Sequence, residues 1–129
     1  CWRRIKRMEE QGIIARRVTL LNYDKLGLNF EVVANVKLQL PSRENLEKFE
    51  QAVRKWPECI ECMTVTGAVD YVMRIVTTDM HAYDNFLRDK ILALGLVSDI
   101  QSRIIVNVAK RTTAAPLGLI SPYIPTQDR

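Results

Sequence analysis

Two cysteines three positions apart, Cys59 and Cys62, are the first candidates for chemistry, because this spacing occurs in zinc sites and in redox-active dithiols. A zinc site needs four ligands, and the other candidates, Cys1 and His81, lie far away along the chain. A redox pair belongs at the N-terminus of a helix, which favours the thiolate. Here the pair enters a predicted strand, where residues three apart point to opposite faces. The sequence therefore predicts neither a metal site nor a redox pair.

Enzyme motifs are the next candidates, and the sequence lacks those that would carry catalysis. The one histidine, His81, falls in the first turn of a predicted helix, without an assembled pair of nucleophile and base. The five glycines form neither a phosphate-binding loop nor a dinucleotide-binding fingerprint. We therefore predict that the protein is not an enzyme.

The segment TGAVDY, from Thr66 to Tyr71, contains polar groups of the kind that bind small ligands. Gly67 permits a tight two-residue turn, and Asp70 and Tyr71 begin the next predicted strand. An aspartate in this position also bonds the backbone amides of an ordinary turn. Taken alone, the residues favour the ordinary turn.

The positive charge of the chain is concentrated at its start. Residues 1–17 hold six cations and two anions, an excess that equals the net charge of +4, whereas residues 18–129 hold thirteen of each sign. An apolar stripe recurs at helical spacing within the first eleven residues, and four cations cover the other faces: Arg3, Arg4, Lys6 and Arg7. Such a helix suits DNA phosphates, although an ordinary solvated helix also has this pattern.

Strand and helix patterns alternate along the rest of the chain. Residues 30–40 alternate between apolar and polar, which predicts a strand with one buried face. Two helices are predicted to begin after caps at Ser42 and Asp79. Three more strands complete the pattern, at residues 60–66, 71–77 and 100–109. The β-branched segment at residues 13–21 predicts an additional strand before this set.

This order predicts an α+β fold, a ferredoxin-like βαββαβ antiparallel sandwich with both helices on one face of the sheet. The fourth strand is apolar on both sides, so we expect the other sheet face to pack against a second copy. Three cysteines provide no disulfide framework, which favours a reducing, cytoplasmic location. The longest apolar run, residues 91–97, is too short to span a membrane.

Five segments of the chain together carry a family resemblance. They are CWRRIKRMEEQGII at the start, LNYDKLG at 21–27, ECMTVTG followed by Asp70-Tyr71, DMHAY at 79–83 and KRTTAAPL at 110–117. In this combination the sequence resembles the Lrp/AsnC family of feast/famine transcriptional regulators. The resemblance implies a helix-turn-helix, most of which this chain lacks, followed by an effector-binding domain with the fold deduced above.

The resemblance also implies a division of the chain and a set of site residues. Its parts would be the C-terminal end of the DNA recognition helix (1–12), a linker strand (13–27), the effector-binding and oligomerisation domain (28–111) and a tail (112–129). DNA contacts, chiefly to phosphates, would fall on Trp2, Arg3, Arg4, Lys6 and Arg7. The effector would contact the second hairpin and the fourth strand of a neighbour, through Thr66, Gly67, Asp70, Tyr71, Gln101 and Ser102.

The implied effector is an amino acid such as leucine or methionine. Its ammonium group needs a carboxylate or carbonyls, a need that Asp70 could serve. Its carboxylate needs backbone amides or hydroxyls, as at Gly67, Thr66 and Ser102. The resemblance further implies a homodimer that assembles into a tetramer or octamer, and double-stranded DNA bound by the full-length protein. It implies no metal, no membrane and no cofactor other than the effector.

A second function class stays open, that of a stand-alone ferredoxin-like module that binds amino acids or oligomerises without binding DNA. Residues 1–14 discriminate between the two classes, because a stand-alone module has no use for half of a recognition helix.

Overall fold

The computed structural model describes residues 2–16 and 18–120, with Trp2 and Glu9 described by their backbone alone. Cys1, Arg17 and residues 121–129 of the predicted tail lie outside the described residues. The chain divides into two compact units, one formed by residues 22–108 and the other by the two ends of the chain. The elements are α1 (Trp2–Glu10), β1 (Phe30–Leu38), α2 (Arg43–Val53), β2 (Cys59–Thr64), β3 (Tyr71–Thr77), α3 (Met80–Phe86) and β4 (Val97–Ile104).

The four strands form one antiparallel sheet in the order β2-β3-β1-β4. This topology is the predicted ferredoxin-like sandwich, with β1 and β3 in the centre. Residues of α2 and α3 share one buried cluster with one face of β1 and β3, which places both helices on that face. The other face of the sheet is called the open face below.

Both helices of the sandwich begin at the predicted caps. The Ser42 hydroxyl accepts a hydrogen bond from the Asn45 backbone N–H at 3.1 Å, and the Asp79 carboxylate accepts one from the Ala82 N–H at 2.8 Å. Each cap satisfies a donor that the helix itself cannot satisfy. After α3 the chain continues through a π-helical turn (Leu87–Ile91) and a 3-10 turn (Leu92–Leu94), and it ends at Gly95 with φ at +71°.

The core lies between the helices and the alternating face of β1. Val32, Ala34, Val36 and Leu38 are each at most 1% exposed, as the alternation predicted. Burial of each valine or leucine side chain, on the order of 1.5–3 kcal/mol, favours this register over one shifted by a residue. The opposite side of the core comes from both helices and the π-helical turn, through Phe49, Val53, Tyr83, Phe86 and Ile91.

The fourth strand ends earlier than predicted. It stops at Ile104 instead of residue 109, and its residues on the open face, Asp99, Gln101 and Arg103, are polar. The apolar character expected on both sides of this strand was therefore wrong within the sheet. β4 stops there because its partner, β1, begins at Phe30. Ile105 donates its N–H to the Glu31 carbonyl at 2.9 Å, and β1 begins only one residue before Glu31.

The linker strand predicted at residues 13–27 does not form among the described residues of that range. A strand needs a partner to bond its N–H and C=O groups, and the described chain offers none there. Apolar side chains of this segment lie exposed, as at Ile13 and Leu20. Residues 22–27 form a turn, in which Leu28 donates its N–H to the Tyr23 carbonyl at 2.8 Å.

The described part of the tail, residues 112–120, is irregular as predicted, apart from one 3-10 turn at Leu117–Leu119.

Candidate functional site

The hairpin between β2 and β3 is longer than the two-residue turn that was predicted. The ladder ends where Thr64 faces Tyr71, and residues 65–70 form the connection. Val65 donates its N–H to the Asp70 carbonyl at 3.2 Å, which closes the base of the loop. Gly67 has φ at +117°, a conformation that L side chains rarely adopt. The hairpin tip therefore depends on glycine at this position.

Asp70 is bonded to the end of β1 through both its backbone and its side chain. Its N–H donates to the Val36 carbonyl at 2.9 Å. Its carboxylate oxygen Oδ2 accepts a hydrogen bond from the Leu38 N–H at 2.8 Å. Because Asp70 is held against β1, the chain before it leaves the ladder as a wide loop, which explains why the turn is longer than the sequence indicated.

The end of β1 is also bonded to β4, at an irregularity in their pairing. Lys37 faces Asp99 and Leu38 faces Val97, so Ser98 is an extra residue on β4. The Ser98 hydroxyl donates toward two carbonyl oxygens of β1. It lies 3.1 Å from the Lys37 oxygen and 3.4 Å from the Leu38 oxygen. The hairpin and the start of β4 are therefore both held at Lys37 and Leu38.

Tyr71 points into the core, away from the hairpin tip. Its ring stacks on Phe49 with a centroid distance of 4.7 Å, and its hydroxyl donates to Glu50 Oε2 at 2.6 Å. Burial, and next the hydrogen bond to Glu50, raise the pKa of the Tyr71 phenol. Tyr71 is therefore a core residue that supports the hairpin, not an exposed residue of its tip.

The two predicted residues of β4 lie on opposite faces of the sheet. Ser102 faces Ala34 on the helix side, and its hydroxyl is hydrogen-bonded to the Tyr83 hydroxyl at 2.5 Å. Gln101 faces Asn35 on the open face and is exposed. Within one chain β1 lies between β4 and the hairpin. The structure therefore brings Thr66, Gly67 and Asp70 together, and it leaves Gln101 and Ser102 apart from them and from each other.

Both thiols of the C-x-x-C pair point to the helix side, so the predicted opposite orientation was wrong. An irregularity between Cys59 and Glu61 sets Cys59 opposite Ile75 and Cys62 opposite Met73, two core residues of one face. Burial raises the pKa of Cys59 to about 11 and that of Cys62 to about 12. Both thiols are protonated near neutral pH, whereas metal binding and thiol exchange require the thiolate.

Among the residues that the structure describes, no group of three or more His, Cys, Asp and Glu side chains is arranged to hold a metal ion. Within the same part of the chain, no helix has the length and apolar character needed to cross a bilayer.

The basic helix α1 forms where it was predicted. Arg3, Arg4, Lys6 and Arg7 all have exposed side chains. The helix is closed by hydrogen bonds after its last turn, including one from the Ile13 N–H to the Met8 carbonyl at 2.8 Å, and Gly12 has φ at +79°. A cationic helical surface is thus present, while the Trp2 side chain lies outside the description.

Sequence reasoning missed Leu38 and Ser98 as residues that shape this site. Leu38 contributes a backbone N–H, for which no side-chain pattern gives a signal. Ser98 lies at an irregularity of strand pairing that exists only once β1 and β4 meet. The one available signal was Asp70 itself, since an aspartate beside a turn commonly accepts backbone N–H groups.

A family model described as the Lrp/AsnC ligand binding domain matches residues 31–115, which include the hairpin and nearly all of the sheet. The chain belongs to the Lrp/AsnC family. The resemblance noted from the sequence is thereby confirmed.

Two relatives of this chain are named as transcriptional regulators. The transcriptional regulator AzlB of Bacillus subtilis is 33% identical over 117 residues, which cover 91% of this chain and 74% of AzlB. The DNA-binding transcriptional activator DecR of Escherichia coli is also 33% identical over 117 residues, which cover 91% of this chain and 77% of DecR.

Solved Lrp/AsnC structures share the fold. A transcriptional regulator from Neisseria meningitidis, crystallised as a complex with L-Met, is 33% identical with a TM-score of 0.87, over 94% of this chain and 78% of that one. An AsnC family regulator from Agrobacterium tumefaciens is 36% identical with a TM-score of 0.84, over 94% of this chain and 78% of that one.

Proposed function

We propose that this Lrp/AsnC chain is part of a DNA-binding transcriptional regulator whose ferredoxin-like domain oligomerises and binds a small amino acid at the hairpin of residues 65–70. The observation that carries the proposal is the hydrogen bonding of the backbone N–H groups at the hairpin tip. Within the described chain, the N–H groups of residues 66–69 have no acceptor, although the base of the same loop is closed by hydrogen bonds. Backbone N–H groups of a turn that have no acceptor within the chain are available to an anion.

An amino acid zwitterion matches the chemistry of this loop. Its carboxylate can accept hydrogen bonds from the tip N–H groups and from the Thr66 hydroxyl, while Gly67 lets the ligand approach the backbone closely. Methionine is a strong candidate, because a regulator that is 33% identical was crystallised with L-Met. A regulatory role without catalysis accords with the relatives, which are regulators.

The second side of the proposed site comes from β4 of a neighbouring copy. Gln101 is exposed on the open face, where its amide can both donate and accept hydrogen bonds. Ser102 points to the other face of β4, where its hydroxyl is bonded to Tyr83, and its contact with the effector stays a prediction. Since β1 separates β4 from the hairpin within one chain, two copies are required to bring Gln101 beside Thr66.

Pairing through the open face would produce the homodimer from which larger assemblies form. This face contains half-buried Val33 and Val72 together with Met63, which is 41% exposed. Arg74 lies among them and pairs with Glu31 at 3.3 Å and Glu61 at 3.1 Å. A mixed apolar and charged surface of this kind fits a second copy that presents the same residues.

The test uses the full-length regulator and each of the twenty amino acids at millimolar concentration. We expect leucine or methionine to raise the melting temperature, since a ligand at about 100 times its Kd stabilises the folded protein by about 2.7 kcal/mol. The mass measured by native mass spectrometry should change with the same ligand. Flat melting temperature and flat mass across all twenty would contradict effector binding.

A pair of matched threonine variants locates the site. Thr66→Ala should weaken binding of that amino acid by about 10- to 150-fold, the range expected for one hydrogen bond to a charged group. Thr78→Ala makes the same change at an exposed position after β3 and should leave binding unchanged. Equal losses in both variants would place the ligand elsewhere.

A further inference from the structure

At the end of β1, the Asp70 side chain accepts a hydrogen bond that a neighbouring strand would otherwise accept. Successive N–H groups of a strand point to opposite edges. Gln39 donates its N–H to the Leu96 carbonyl at 2.8 Å, on the β4 side, so the N–H of Leu38 points to the β3 side. There β3 has not yet begun, because its first residue, Tyr71, faces Val36. The Asp70 carboxylate occupies the place of the absent carbonyl and accepts the Leu38 N–H at 2.8 Å.

This contact determines where the hairpin leaves the sheet. With both its N–H and its carboxylate bonded to β1, Asp70 fixes the last residue of the loop, and the Val65 N–H is bonded to its carbonyl. The stretch between these points, residues 66–69, holds the backbone N–H groups and the Thr66 hydroxyl of the proposed site. Their direction depends on the anchor at Asp70.

We infer that Asp70 is a positioning residue, which orders the hairpin by accepting the Leu38 N–H, and that its negative charge is not the partner of the ligand's ammonium group. The part of this inference that concerns ligand binding rests on the proposed function. The inference replaces the role of ammonium partner that the sequence suggested for Asp70. The ammonium group is then held by uncharged acceptors, namely hairpin carbonyls and the Gln101 amide of the second copy.

The substitution Asp70→Asn separates the two roles. An asparagine amide oxygen accepts the same N–H, but the side chain has no charge. A positioning role predicts that Asp70→Asn binds L-methionine and L-leucine within about threefold of the parent, whereas Asp70→Ala, which leaves a part-buried N–H without an acceptor, weakens binding by about tenfold or more. If Asp70→Asn loses as much affinity as Asp70→Ala, the charge is required and the inference is overturned.

Amide hydrogen exchange of Leu38 in the ligand-free, full-length protein provides a second test of the role of Asp70. The inference predicts a protected Leu38 amide in the parent and in Asp70→Asn, and an exchange rate about tenfold faster or more in Asp70→Ala. Equal exchange in all three proteins overturns the inference, whether or not an amino acid binds. A parent that binds no amino acid contradicts the proposed function instead, and the exchange arm still decides the role of Asp70.

Asp89→Asn is the matched control for the change in charge. Asp89 is exposed in the π-helical turn after α3. Its substitution should change neither ligand affinity nor the exchange of the Leu38 amide. If Asp70→Ala does not fold, Asp70→Asn alone decides between charge and hydrogen-bond acceptance.

Discussion

The hydroxyl of Tyr71 donates a hydrogen bond of 2.6 Å to Oε2 of Glu50, which joins the first residue of β3 to α2. The residue that follows Asp70 in the hairpin motif therefore belongs to the core, although it was predicted to contact the effector. This relationship separates the exposed residues of the loop from the residue that supports the loop.

Tyr71→Phe should lower stability and leave ligand affinity unchanged. The substitution keeps the ring against Phe49 and removes one hydrogen bond to a carboxylate, which corresponds to about 0.5–3 kcal/mol of the free energy of unfolding. Urea denaturation measures the first quantity and calorimetric titration with L-methionine the second. A large loss of affinity with unchanged stability would show that the hydroxyl contacts the ligand after all.

Stability should fall in alkaline solution. The pKa values of Cys59 and Cys62 are raised from 9.0 to about 11 and about 12 by burial, so the unfolded chain loses these protons first. Above pH 9 the folded state binds more protons than the unfolded state, and the free energy of unfolding decreases as pH rises.

The urea midpoint, measured from about pH 7 to about pH 10.5, tests this dependence. A Cys59→Ala/Cys62→Ala variant provides the comparison, since the raised pKa of Tyr71 and the other titrating groups remain in it. The decrease in alkaline solution should be smaller in the variant. Parallel curves for the two proteins would contradict the assignment to the thiols.

Val72→Lys should convert the proposed dimer into a monomer while preserving the fold. Val72 is half-buried on the open face, between Asn35 and Met63, and an ammonium group placed in a buried interface costs several kcal/mol. Light scattering measures the mass and far-UV circular dichroism the fold. Val72→Thr keeps the β-branched shape without charge and should remain dimeric, and an unchanged mass for Val72→Lys would rule out pairing through this face.

Substitutions in α1 should weaken DNA binding by the full-length protein in a salt-dependent way. Arg3→Gln and Lys6→Gln each remove an exposed cation, and removal of one cation that pairs with a phosphate should reduce the slope of log K against log salt by about 0.9. Lys55→Gln, an exposed cation just after α2, is the control. The same slope in the parent and all three variants would show that α1 does not contact phosphates.

Asp70→Ala and Ser98→Ala should be non-additive. The Asp70 carboxylate accepts the Leu38 N–H, and the Ser98 hydroxyl donates to the Lys37 carbonyl at 3.1 Å. Both groups belong to the peptide unit between Lys37 and Leu38, so removing either side chain loosens the same peptide. We expect an interaction free energy of about 0.5 kcal/mol or more in a double-mutant cycle of urea unfolding. Ser42→Ala combined with Asp70→Ala should be additive, because Ser42 caps α2 by a separate contact with Asn45. Additivity in both pairs would mean that the two sides of β1 are independent.

Features that depend on near neighbours in the chain could be predicted from the sequence. The caps at Ser42 and Asp79 each bond a backbone N–H three residues away, and the alternation of β1 reflects a single buried face. The basic helix follows from side-chain spacing within three turns. The family itself could be recognised because its segments occur together in order.

Features that depend on distant partners were predicted less well. The segment at residues 13–21 has the composition of a strand but no partner among the described residues, and β4 stops where β1 ends. The Cys59–Cys62 pair points to one face because of an irregularity that arises when β2 pairs with β3. None of these outcomes has a local signal.

The sequence by itself determined the order of strands and helices within the sandwich, the buried face of β1, the helix caps and the location of the positive charge, because each depends on residues close together in the chain. Tertiary structure alone decided that Asp70 bonds Leu38, that Tyr71 faces α2, and that Gln101 and Ser102 point apart. These relationships depend on the register between strands, where a shift of one residue exchanges the two faces of the sheet.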